Sequence, residues 1–262
     1  MTPIALTIAG SDPGGGAGIQ ADLKTFHRFR VFGTAVITLV SVQNTSRLSR
    51  TEVLDAELVG EQIDAVLEDL PPRAIKTGAL GDEAVIRAVA ARAFEAPLIV
   101  DPIMLSSGGA PLLTPSGRKA LRELLLPKAM LAMPNLAEAE ALTGREVRSR
   151  EQMREAARII ADPGPRAVLI KGGHLESGDA VDILFCEGVF TEFTSPRIET
   201  RHTHGTGCTY SAAVTALIAR GAALEQAIAE AKTFIYEAIR QAPGLGSGAG
   251  PLNHWAESAD SL

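Results

Sequence analysis

Short continuous apolar runs alternate with segments of helical spacing along the whole chain. Residues 4–9 (Ile-Ala-Leu-Thr-Ile-Ala), 34–42, 74–77, 98–101, 129–133 and 167–171 are apolar on both alternating sides. That is the mark of strands covered on two faces. Between them, residues 57–69 set Leu58, Ile63, Val66, Leu67 and Leu70 on one face of a helix. Similar spacing predicts helices over 82–93, 115–126, 137–143, 150–161, 207–220 and 223–240, and another runs from the glycine-rich loop at 10–16 to about Arg30. Residues 181–186 and 189–194 instead alternate about Glu187-Gly188, a hairpin signal. Together they predict one α/β domain over residues 1–262: a mostly parallel sheet covered on both faces, with an antiparallel hairpin near one edge. The glycine-rich segment after residue 243 reads as a surface loop, with Trp255 as the point where the end docks.

In open parallel sheets, ligands bind beyond the carboxyl ends of the strands. Ser11-Asp12, Gln43-Asn44, Lys76-Thr77, Asp101, Asn135 and Lys171 all fall at or just past predicted strand ends. Composition limits what that edge can hold. With 46 % apolar and 21 % charged residues the chain has an ordinary globular make-up. A net charge of −6 with interspersed signs argues against nucleic acid as partner. Phosphate must then be met locally, by backbone amides, a few cations and Mg²⁺. Cys186 and Cys208 cannot make a disulfide framework, so a reducing cytoplasm is expected. No run approaches the roughly 18 apolar residues of a membrane span, and the start lacks the basic region of a signal peptide, so no membrane partner is expected.

The chemistry concentrates in residues 203–213, where Gly205 and Gly207 precede small residues that open a helix. Glycines let backbone close on a ligand, and the amides of a helix start favour an anion. Cys208 stands where such a start lowers a thiol pKa, which points to a phosphoryl-transfer site; the other reading is a small core residue. Asn135 and Glu138 could orient water on Mg²⁺ or form a capping box. Lys171 could reach a phosphate or simply be solvated. The loop at 10–18 brings backbone close to a small flat or hydroxylated ligand, or merely turns the chain. Gly16 to Ala21 formally fits the dinucleotide fingerprint of an NAD-dependent oxidoreductase. Against it, six residues separate Ala9 from Gly16, and the next strand ends in Gln43-Asn44 rather than an acid. His202 and His204 have no third ligand near in sequence, so zinc is not expected and His204 is assigned to bracing the anion loop. Cys186 reads as structural, and residues 104–112 as a lid.

Taken together, these residues make the chain resemble the hydroxymethylpyrimidine/phosphomethylpyrimidine kinase family of thiamine biosynthesis, within the ribokinase-like superfamily. The resemblance runs from Ile8 to about His254. It is carried by Ala9-Gly10-Ser11-Asp12-Pro13, Gln20-Ala21-Asp22-Leu23-Lys24, Gln43-Asn44-Thr45, Lys76-Thr77-Gly78, Asp101-Pro102, Pro134-Asn135-Leu136 with Glu138, Lys171-Gly172-Gly173-His174 and residues 204–209. Cys208 matters most, because most sugar kinases of the superfamily have Asp there. The resemblance implies a ribokinase-like three-layer α/β/α sandwich and a homodimer. It also implies ATP with Mg²⁺, and phosphorylation of a hydroxymethylpyrimidine to its monophosphate and then its diphosphate. Carried over by position, Gln43 bonds the aminopyrimidine edge, and Gly10, Asp12, Ala17, Ala79 and Ile103 border the substrate. Gly205, Thr206 and Gly207 form the anion hole, and Cys208 is the base. Lys171, Asn135 and Glu138 serve the ATP phosphates, Glu138 meeting Mg²⁺ through water. Two positions depart from the pattern: Ala79 replaces the usual Met, and Gly14 a common Ser. Ala79 removes bulk from the pocket wall and makes pyridoxal or pyridoxine the rival acceptor.

Overall fold

A computed structural model describes residues 2–106, 108–173 and 178–257. His174, part of the quoted Lys-Gly-Gly-His motif, and Ser107 in the 104–112 segment lie outside the described residues. The chain begins with β1 (Ile4–Ser11), α1 (Gly18–Arg28), β2 (Phe32–Gln43) and β3 (Leu48–Val53). It continues through α2 (Ala56–Asp69), β4 (Ala74–Thr77), α3 (Glu83–Ala90), β5 (Leu98–Val100) and α4 (Pro115–Ala120). Then come β6 (Leu131–Ala132), α5 (Leu136–Thr143), α6 (Arg150–Ala161) and β7 (Ala167–Ile170). The hairpin β8 (Ala180–Cys186) and β9 (Val189–Ser195) follows, and α7 (Thr206–Ala219) and α8 (Leu224–Arg240) complete the set.

The strands form one nine-stranded sheet in the order β3-β2-β1-β4-β5-β6-β7-β8-β9. From β2 to β7 in that order all neighbours are parallel. Antiparallel pairs close both edges. The β8–β9 hairpin turns at Glu187 and Gly188, both at positive φ (49° and 82°), as a tight two-residue turn requires. β3 was not predicted. Its Leu-Ser-Arg-Thr-Glu-Val has little apolar content because it is an edge strand left largely to solvent.

Period-two alternation sorts the parallel strands into two cores. Leu6, Ile8, Ile75, Val100, Val168 and Ile170 face α2, α3, α5 and α6. Ala5, Ala74, Ile99, Leu131, Ala167 and Leu169 face α1, α7 and α8. The result is the expected three-layer α/β/α sandwich. α7 is buried nearly all round, with Ala212, Ala213 and Ala216 letting it lie close to the sheet. Its buried hydroxyls are all satisfied: Thr215 Oγ1 donates to Ser211 O at 2.7 Å within the helix, while Thr209 Oγ1 lies 3.2 Å from His254 Nε2 outside it.

Three local expectations are corrected. α2 buries Ile63 and packs Val66 and Leu67 against the core as predicted, but Leu58 is 46 % exposed and Val59 and Gly60 are buried in its place. The helix predicted over 115–126 is α-helical only to Ala120; it widens to a π turn over Leu121–Leu125 and tightens at Leu126–Lys128, where Pro127 has no N–H to continue the ladder. Trp255 is 78 % exposed, and the chain end docks instead through Leu252, His254 and Ala256.

Phe26 of α1 is fully buried in the α7-side core. Phe26→Ala is expected to cost about 3–5 kcal/mol. Trp255→Ala should stay within about 0.5 kcal/mol of the parent. Denaturant melts of the two variants check both.

Candidate active site

Beyond the strand ends lies a cavity of about 820 Å³. It brings together every residue assigned to the site: Gly10, Asp12, Ala17, Gln43, Ala79, Ile103, Asn135, Glu138, Lys171, Gly205, Thr206, Gly207 and Cys208. Residues 104–106 and 109 of the glycine- and serine-rich segment line it too, with Leu105 bridging to Pro111.

Asp12 organises one end. Its Oδ1 accepts from Gly14 N at 2.7 Å, and its Oδ2 accepts from Gly16 N (3.1 Å) and Ala17 N (2.9 Å). The same Oδ2 lies 2.9 Å from His204 Nε2. Burial alone would raise this carboxyl, but the bonds from His204, Gln43 and Gly14 outweigh it and hold Asp12 down at about 2. The carboxylate therefore fastens the first loop to the start of α7. Gly205 caps that helix at φ +82°, and a Cβ there would sit 1.8 Å from Gly16 O. Only glycine lets the two loops approach so closely.

The start of α7 follows. Thr206 turns its N–H (3.2 Å) and its hydroxyl (2.8 Å) back to Thr203 O. Gly207 lies bare against a buried ion pair: a Cβ there would be 3.4 Å from Lys171 Nζ and 3.8 Å from Asp101 Oδ2. Lys171 Nζ donates to Asp101 Oδ1 at 2.7 Å, and Ser211 Oγ donates to Asp101 Oδ2 at 2.9 Å. Lys171 is thus not a solvated surface lysine. Asn135 and Glu138 form the capping box, with Glu138 Oε2 accepting from Asn135 N at 2.7 Å and Asn135 Oδ1 accepting from Glu138 N at 2.9 Å. Burial pushes Glu138 up to about 7, against the pull of Lys171.

Cys208 corrects a sequence expectation. Burial pushes its thiol up to about 12, opposed chiefly by Lys76. The field of the helix start was expected to lower it, but desolvation under the packed α7 is the larger effect. Among the described residues no three His, Cys, Asp or Glu converge as a metal cage. The residues present fit a cation held mainly by phosphate oxygens and water rather than by a cage of protein ligands.

The opposite end was not anticipated. Asp182 Oδ2 accepts from Lys232 Nζ (2.7 Å) and Tyr210 OH (3.0 Å), while Oδ1 accepts from Gly172 N at 3.0 Å. All three side chains line the cavity, beside Pro196, Ile198, Ile235 and Ile239. The signals were a carboxylate inside the apolar strand 181–186 and a lysine within the apolar stripe of α8.

A sandwich of this kind, with a glycine-framed helix start between two ends of a cavity beyond the strand ends, has the architecture of a small-molecule phosphotransferase. A family model described as phosphomethylpyrimidine kinase matches residues 12–253, and the chain belongs to that family. The hydroxymethylpyrimidine/phosphomethylpyrimidine kinase of Bacillus subtilis is 47 % identical, covering 98 % of this chain and 97 % of the relative. Among solved structures, phosphomethylpyrimidine kinase from Clostridium difficile is 39 % identical with a TM-score of 0.80, over 91 % of this chain and 100 % of that one. Pyridoxal kinase from Staphylococcus aureus, in complex with AMP-PCP and pyridoxal, is 35 % identical with a TM-score of 0.90, over 98 % and 94 %. The chain is a kinase, and the oxidoreductase reading of Gly16 to Ala21 falls with that assignment. Among the described residues no helix is long and apolar enough to cross a membrane.

Asp12 ionises more readily folded than unfolded, so its contribution is present above the ordinary value of 3.8 and is lost as the pH falls towards 2. Asp12→Asn is expected to lower stability at neutral pH by about 2 kcal/mol. The gap between parent and variant should close across that acid window, as read by denaturant titrations at stepped pH.

Proposed function

We propose that the protein phosphorylates a hydroxymethylpyrimidine at the expense of ATP and then phosphorylates the monophosphate to the diphosphate, for thiamine biosynthesis. The supporting observation is the convergence of the loop at 10–18, the glycines at the start of α7 and the Lys171 ammonium in a single cavity. The whole chain acts as one kinase domain, and a homodimer is the expected assembly.

In this reading, the loop at 10–18 with Ala79 and Ile103 encloses the ring, and the Gln43 amide offers a donor and an acceptor to the aminopyrimidine edge. The hydroxymethyl oxygen attacks the γ-phosphorus, the bond to the bridging oxygen breaks, and ADP leaves. Gly205, Thr206 and Gly207 steady the transferring group, with Lys171 beneath them. Asn135 and Glu138 face the phosphates, and Mg²⁺ when bound neutralises phosphate oxygens. Cys208 accepts the hydroxyl proton as the new O–P bond forms. Because phosphoryl transfer asks mainly for positioning and charge stabilisation, that proton moves late and a sparsely ionised base suffices.

The two phosphorylations differ in one respect. A hydroxyl must lose a proton, whereas a phosphate monoester is already largely ionised at neutral pH. Cys208→Ala is expected to slow phosphorylation of the alcohol by about 10²–10⁴-fold. It should slow phosphorylation of the monophosphate much less. Equal losses in both steps, or unchanged turnover of the alcohol, would overturn the role of Cys208. The small Ala79 side chain and the pyridoxal kinase neighbour favour testing a second acceptor. Steady-state rates should show kcat/KM higher for the pyrimidine than for pyridoxal, and the reverse order would replace the pyrimidine as substrate.

A further inference from the structure

β4 carries one charged residue in an otherwise apolar or neutral strand, and that residue is fully buried. Alternation turns Lys76, like Ala74, towards the face covered by α1 and α7. The first turn of α7 above it holds Cys208. Lys76 Nζ donates to Asp22 Oδ2 on α1 at 2.9 Å, and Thr7 Oγ1 on β1 donates to the same oxygen at 2.6 Å. The ammonium also reaches past the strand end, 3.3 Å from where a Cβ on Gly78 would stand.

This pair is an expensive way to fill a core. Removing two charges from water is seldom repaid by their attraction, and an apolar pair of similar volume often gives a more stable protein. Asp22 Oδ1 is moreover buried without a hydrogen-bond partner, a further cost. Nothing in the steps assigned to the cavity residues uses either side chain. The arrangement makes sense if the ammonium has a second, transient partner.

The charged groups coupled to the Cys208 sulfur come from each element around it. Lys76 from β4 favours the thiolate; Asp22 from α1 and Asp101 beyond β5 oppose it. Lys171 at the end of β7 is coupled to it as well. Lys76 is the largest influence set against burial.

We propose that Lys76 is a positioning residue that acts through Cys208: its ammonium balances the thiolate that accepts the hydroxyl proton, and Asp22 with Thr7 holds it in place. The proposal rests on the reading of Cys208 as proton acceptor. Cys208 enters turnover as thiolate, takes the proton from the attacking hydroxyl to become thiol, and returns that proton to water when product has left. Lys76 stays protonated throughout.

The test reads the thiol directly. With Cys186→Ser as background, Cys208 is the single cysteine left, and its alkylation by iodoacetamide at one fixed alkaline pH follows the thiolate fraction. Lys76→Met is expected to slow alkylation about tenfold or more, which corresponds to a pKa rise of about one unit. Lys76→Arg keeps the charge and should retain most of the rate. Asp22→Asn removes an opposing charge and should speed alkylation. The opposite signs separate electrostatic coupling from structural damage, which would move both variants the same way. An unchanged rate in Lys76→Met, or slowing in Asp22→Asn, overturns the proposal. If Lys76→Met does not fold, as judged by circular dichroism, Lys76→Arg and Asp22→Asn carry the test alone. Because no kinase turnover is measured, failure of Cys208 as base is seen separately, in the two phosphorylation rates of Cys208→Ala.

Discussion

The Asp12 carboxylate ties the acceptor loop to itself and to the beginning of α7, and the site takes its shape from that knot. Its bonds to the N–H groups of Gly14, Gly16 and Ala17 curl the loop, and the contact with His204 fixes the residue just before Gly205. Main chain then meets main chain where Gly205 abuts Gly16 O. The same economy recurs at Gly18, at φ +57°, where a Cβ would stand 2.2 Å from Gly10 O. The two loops thereby become one body. On the proposed function, an acceptor held by the first loop would keep its distance from an anion held by the second, which is the positioning that phosphoryl transfer needs.

The layer between sheet and α7 obeys a different constraint. Its helix lies close because its residues are small, and close packing excludes water from the charges beneath it. Asp22 and Lys76 are thus paired in a dry setting, where each ion costs free energy unless matched, whereas Asp101 and Lys171 border the cavity. The same dryness raises the Cys208 thiol. A helix start favours an anion through its amides, but it cannot offset desolvation of a sulfur tucked beneath that helix without a nearby cation. Close packing and a thiolate pull in opposite directions here, and Lys76 is the largest influence set against the burial.

Most of the fold was legible because six strands are continuously apolar and therefore announce burial on both faces. β3 was silent for the converse reason: an edge strand facing solvent needs no apolar pattern. That Asp12, Gln43, Asp101, Asn135 and Lys171 meet in one cavity was legible through their place at strand ends, a property of order along the chain. What escaped were properties that exist only after packing. The Asp182, Tyr210 and Lys232 cluster joins residues from β8, α7 and α8, and no local spacing links them. The direction of the Cys208 shift was misread because the helix start is visible in sequence and the desolvation is not. Trp255 was assigned the anchoring that Leu252 and Ala256 perform, since side-chain size is readable but the facing surface is not.

On the proposed function, one cavity must serve an uncharged alcohol and then a phosphate monoester of about two negative charges at neutral pH. A chain of net charge −6 offers no general attraction to the second. The local arrangement can, because the cradle is built from backbone at Gly205 and Gly207 and needs no side chain to reorganise between substrates. Lys171 lies below it, already matched by Asp101, so the pair is close to neutral before any phosphate arrives. An incoming anion meets preset dipoles and a shared cation rather than an unpaired charge. Such a site can hold a longer, more charged acceptor without binding it so tightly that product stays.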